Sequence, residues 1–86
     1  MLQSVTIDDL CLYCQVSGES GRKLTESLAQ AHEEELQAVG ISITERNRER
    51  YALAVKAMTL HELDHPGEDR PQGIKSMIAG LKYGGR

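Results

Sequence analysis

The string His61-Glu62-Leu63-Asp64-His65 is the first place where residue types and spacing point to chemistry. In H-E-x-x-H on a helix, two imidazoles four positions apart share one face and bind zinc, while the intervening carboxylate acts as general base. Two features weigh against that use. His65 precedes Pro66, and a proline ring disfavours the helical region for the residue before it, so the second imidazole falls where the helix ends. Gly67 and Glu68 do not continue the pattern toward a third histidine, and the chain ends soon afterwards. The residues read as polar groups at a helix terminus, with a small zinc-dependent hydrolase as the alternative. No catalytic, metal-ligating or cofactor-binding residue is assigned.

Cys11-Leu12-Tyr13-Cys14 is a C-x-x-C. Redox use places the first thiol at a helix N-terminus after a strand, where the dipole lowers its pKa, whereas both cysteines here fall late in a short predicted helix. No second pair completes a zinc ribbon, and a set formed with His61 and His65 is spaced far too widely for a zinc finger. The two thiols read as small buried hydrophobes. Arg46, Arg48 and Arg50 would suit phosphate and a small DNA-binding regulator, but Glu45 and Glu49 lie within a helical turn and partly neutralise them. Ser17-Gly18-Glu19-Ser20-Gly21-Arg22-Lys23 lacks the register of a phosphate-binding loop.

Eighty-six residues make a single domain, here spanning residues 1–86. A chain this short buries only roughly 60–65% of its unfolded surface, so a large catalytic cleft is improbable. The net charge is −3, and with neither Phe nor Trp there is little material for stacking on nucleic acid. That total hides an asymmetry. Residues 1–69 hold all thirteen acids and six bases (−7), and residues 70–86 hold Arg70, Lys75, Lys82 and Arg86 with no acid (+4). An acidic body and a basic end suit head-to-tail contact between copies. No apolar run is long enough to span a membrane, and Met1-Leu2-Gln3-Ser4 does not open a signal peptide, so the expectation is an intracellular chain with reduced thiols.

The periodicity predicts an all-α fold, a small bundle of about four helices with a long central third. Thr6 caps a first helix from Ile7 to about Gln15, with Asp8 and Asp9 in its first turn. After a Ser/Gly loop, a second helix runs from about Arg22 to Val39, with Leu24, Leu28, Ala31 and Leu36 inward and Glu26, Gln30, Glu33, Glu34 and Gln37 outward. Gly40 ends it. Ile41-Ser42-Ile43 is an extended connection, and Thr44 caps a third helix from about Glu45 to Asp64. Its apolar residues surround most of its circumference, which makes it central. Pro66-Gly67 stops it, and a last helix from about Gln72 to Lys82 buries Ile74, Met77, Ile78 and Leu81. The ends, near 1–5 and 83–86, are expected to be mobile.

In this order the segments resemble the head-tail connector, or head-completion, proteins of long-tailed bacteriophages and prophages. The likeness covers nearly the whole chain. It is carried by the capped start Thr6-Ile7-Asp8-Asp9-Leu10, by Leu24 to Ala31 and Gly40, and by the helix Tyr51 to Glu62. A polar loop and Pro71-Gln72-Gly73-Ile74-Lys75-Ser76-Met77-Ile78-Ala79-Gly80-Leu81-Lys82-Tyr83 follow. The sequence departs from the pattern at Ser17 to Gly21, which lacks an acidic run, and at His61 to His65, which replaces a Tyr-Glu-x-Arg type of ending.

The resemblance implies a non-catalytic part of the virion head-tail junction, assembled in the bacterial host cytoplasm. Copies would form a homo-oligomeric ring, dodecameric in the virion, between the portal protein and a tail or stopper protein. The ring would extend the DNA channel without sequence-specific binding and without membrane or cofactor. Arg70, Lys75, Lys82 and Arg86 are then candidate subunit-interface residues. Glu26, Glu33, Glu34 and Glu35 are candidates to line the channel, where acidic groups let DNA slide.

Overall fold

The structure is a computed structural model and describes residues 2–83, so Met1 and Gly84 to Arg86, with the candidate Arg86, lie outside it. Four helices make up the described residues: α1 (Ile7–Cys14), α2 (Glu19–Ala38), α3 (Arg48–Asp64) and α4 (Gln72–Tyr83). The all-α expectation holds.

Each boundary has a local cause. The Thr6 hydroxyl accepts from the Asp9 amide at 3.1 Å at the start of α1, a cap worth about 1 kcal/mol. The helix closes with Gln15 in the left-handed region (φ 56°) and the Val16 amide donating to Cys11 O at 2.9 Å. The same closure ends α2. Gly40, at φ 90°, lets the Ile41 amide reach back to Leu36 O at 3.0 Å.

The predicted start of α2 is corrected by three residues. Gly18, at φ 87°, turns the chain, and Glu19, Ser20 and Gly21 are already helical. Gly21 belongs there because Val16 packs where its side chain would be; a Cβ would meet Val16 Cγ1 at 2.9 Å. The start of α3 moves the other way. Thr44 and Asn47 bind one another reciprocally, Thr44 N to Asn47 Oδ1 at 2.7 Å and Asn47 N to Thr44 Oγ1 at 3.2 Å, in the manner of a capping box. Residues 45–47 therefore form a turn, and α3 begins at Arg48.

Helix α3 packs against the other three, as its all-round apolar pattern implies. Tyr51, Ala54, Val55 and Met58 are at most 1% exposed, and with Leu10 and Leu36 they form the centre of the core. Each such large apolar side chain contributes roughly 1.5–3 kcal/mol through burial. Ala29, Ala54 and Ala57 are buried without bulk. Ile41 is buried and Ile43 half-buried, so the α2–α3 connection covers the core edge.

The inward face of α2 differs from the predicted one. Thr25, Ala29, His32, Glu33 and Leu36 are buried, while Leu24 is 54% exposed and Ala31 is at the surface. The helix turns this stripe inward because each polar member finds a partner. Thr25 Oγ1 donates to Gly21 O at 2.8 Å. Glu33 accepts from the amides of Gln3 and Ser4, at 3.0 and 2.7 Å, and from the Ser4 hydroxyl. The N-terminal segment is thereby joined to α2: Gln3 and Ser4 are hydrogen-bonded, and Leu2 and Val5 pack against the core.

Candidate functional site

The second helix and the α3–α4 connection meet at the most connected polar cluster among the described residues. Its centre is His32, whose side chain is 7% exposed. One ring nitrogen, Nδ1, lies 3.4 Å from Glu35 Oε1, one turn along the same helix. The other, Nε2, lies 2.9 Å from Glu62 Oε1 of α3 but without the alignment of a hydrogen bond. Arg70 reaches in from the connection and lays both guanidinium nitrogens on Glu35, NH1 on Oε2 and NH2 on Oε1, each at 2.6 Å.

These contacts tune one another. The Arg70 hydrogen bonds hold the Glu35 carboxyl below the usual carboxylate range against the opposing effect of burial, with the Arg70 charge and His32 adding to the lowering. Reciprocally, hydrogen bonding to Glu35 raises the pKa of Arg70. Such a two-point pair fixes geometry as well as charge. Chain segments 35 residues apart are joined by it.

Beside the cluster opens a cavity of about 300 Å3 lined by all three histidines, His32, His61 and His65, together with Glu62, Glu68 and Arg70. His61 and His65 stand as the H-E-x-x-H spacing predicts, with ring centroids 5.5 Å apart. His65 is the residue that ends α3, at φ −137° and ψ 62°, and its Nδ1 faces Glu68 at 3.0 Å. Glu62 points at His32. Among the described residues, no three His, Cys, Asp or Glu side chains converge as a metal-binding group.

Cys11 and Cys14 are both buried free thiols, and burial, then the neighbouring Cys11 and Asp64, pushes the Cys14 thiol up. This is the environment of inert packing residues and the opposite of an activated thiol. Arg46, Arg48 and Arg50 are exposed around the start of α3.

The candidate interface and channel residues are distributed differently from the expectation. Arg70 and Glu35, assigned to an interface and to a channel, are bound to each other within one chain. Glu33 is 3% exposed and sits under the N-terminal segment, so its assignment to a channel lining is corrected. Glu34 is exposed and Glu26 half-buried near Arg22 and Lys23. Lys75 and Lys82, two turns apart on α4, are both exposed. His32 carried no local signal in the sequence, because Glu62 and Arg70, which close around it, lie outside its helix.

The chain matches no protein-family model, no curated protein and no solved structure. No described helix is long and apolar enough to cross a membrane.

Proposed function

We propose that this chain is a non-catalytic structural component of a bacteriophage virion, a head-tail connector whose copies ring the DNA channel between portal and tail or stopper. The observation that carries this reading is the order of its elements: a capped short helix, a long acidic helix, a central apolar helix, and a last helix opened by Pro71-Gln72-Gly73-Ile74. The exposed Lys75 and Lys82 at the basic end, against an acidic body, supply the unlike faces that a head-to-tail ring needs. The test is native mass spectrometry and electron microscopy of the protein alone and with portal complexes. Rings or portal-bound copies are expected; neither, over a wide concentration range, removes the reading.

A second reading, a small zinc-dependent hydrolase, has one observation in its favour, the three histidines around one cavity. Stoichiometric zinc lost on His61→Ala, together with peptidase activity lost on Glu62→Gln, would establish it. Absence of zinc from protein purified and dialysed with zinc present would end it.

A further inference from the structure

Two surface features of the bundle are complementary. The first is a knob on α1. Leu12 is 79% exposed, more than any other large apolar residue described, and Asp8 and Asp9 sit one helical turn before it. The second is a groove of about 350 Å3 between α3 and α4, walled by Leu53, Met77 and Leu81 and kept open by the small residues Gly73, Ser76 and Gly80. Arg50 stands on its rim. Leu53 is 41% exposed there.

The charges match as well. Asp8 is engaged by Arg22 at 2.6 Å, but among the described residues neither Asp9 nor Arg50 has an ion-pair partner. A protruding leucine with an unpaired acid one turn away fits an apolar slot with an unpaired arginine at its edge. An exposed apolar knob and a matching pocket elsewhere on the same surface produce contact between copies.

We propose that Leu12 of one copy seats in the α3–α4 groove of a second copy, with Asp9 facing Arg50. The proposal rests on the structural reading above and assigns its copy-to-copy contact to α1 and α4. Burying the leucine supplies affinity, and the Asp9–Arg50 pair sets orientation and rate of encounter.

The contact is tested by mixing Asp9→Cys protein with Arg50→Cys protein, both of which keep Leu12, under mild oxidation. Both positions are exposed, and the native thiols are buried. A disulfide joining the two chains is expected to form several-fold faster in the mixture than in either variant alone. In parallel, Leu12→Asp is expected to weaken self-association by about tenfold or more while the circular dichroism of the monomer is unchanged. No faster cross-linking in the mixture, or self-association of Leu12→Asp equal to the wild type, overturns the contact. So does a wild type that stays monomeric up to its solubility limit. A Leu12→Asp chain that still rings portal complexes overturns the contact and leaves the structural reading standing. A wild type that self-associates through this contact but never grows beyond a dimer, alone or with portal complexes, keeps the contact and removes the ring.

Discussion

Arg70 grips both carboxylate oxygens of Glu35, each at 2.6 Å, and so fastens the connection between α3 and α4 to the side of α2. The connection between Asp64 and Gln72 contains two prolines and no helix. Apart from this grip on the segment that leads into it, α4 is held mainly by its packing on α3. The pair thereby anchors the segment that leads into α4, two residues before Gln72.

Acid should loosen this grip. The Glu35 pKa lies below its ordinary value of 4.5 in the folded chain, chiefly through Arg70. A depressed carboxyl stabilises the fold fully above pH 4.5, and the contribution is lost as pH falls through the lowered folded value. Glu35 is 43% exposed, so solvent screening limits the pair to about 1 kcal/mol. Arg70→Met should cost about that much at pH 7 and reduce the loss of stability on acidification below about pH 4.5. Urea unfolding of both proteins at pH 7 and pH 3 checks this; parallel acid dependence would show that other carboxylates dominate.

Glu33 should act as the fastener of the N-terminal segment. It is a buried carboxylate that only accepts, and it faces only donors: two amides and a hydroxyl. Glu33→Gln turns an NH2 toward them and leaves a buried donor unmatched, at a cost of about 1–3 kcal/mol. For a domain this size, each kcal/mol lowers Tm by about 4–8 °C. The local readout is hydrogen exchange at the Gln3 and Ser4 amides, which should speed up more than exchange in α3. Uniform acceleration would mean that the whole fold, and not the latch, had been weakened.

The fate of Glu33 shows what was legible in the sequence and what was not. Helix number and order followed from local signals: Thr6, Gly40, Pro66 and Pro71 punctuate four apolar periodicities. The inward face of α2 did not. Hydrophobicity favoured Leu24, Leu28 and Ala31, whereas the fold buries Thr25, His32 and Glu33 alongside Ala29 and Leu36. A polar residue becomes a core residue only when its partner arrives, and Gln3 and Ser4, which meet Glu33, and Glu62, which faces His32, are about 30 residues away on other elements. Gln3, Ser4, Glu62 and Arg70 announce nothing of this in sequence. For the same reason Arg70 and Glu35 read as free charges, although each is the other's ligand.

Neighbouring leucines of α1 should separate core from contact surface. Leu10 is fully buried and Leu12 is 79% exposed. Leu10→Ala should cost about 2–5 kcal/mol of folding stability, whereas Leu12→Ala should lie within about 0.5 kcal/mol of the wild type. Chemical denaturation of dilute monomer gives both numbers. A substantial loss at Leu12 would mean that the side chain packs within its own chain.

Two glycines within helices should respond to alanine with opposite signs. A glycine inside a helix costs about 0.5–1 kcal/mol relative to alanine, through the backbone freedom it loses on folding. At Gly80, in α4, an added Cβ meets nothing within 4 Å beyond the adjoining residues and backbone of its own helix. Gly80→Ala should therefore stabilise the monomer by about that amount. At Gly21 the same methyl would stand 2.9 Å from Val16 Cγ1. Valine is branched at Cβ and cannot swing one methyl away without turning the whole side chain, and Val16 packs against the core. Overpacking of this kind costs about 1–3 kcal/mol, which outweighs the gain in helix propensity, so Gly21→Ala should be destabilising by about 1 kcal/mol. Thermal unfolding should raise Tm for the first variant and lower it for the second. Val16→Ala combined with Gly21→Ala should recover part of the loss caused by Gly21→Ala, because the truncated side chain vacates the space the new methyl needs; failure of that rescue would place the strain in the backbone turn at Gly18 rather than at Val16.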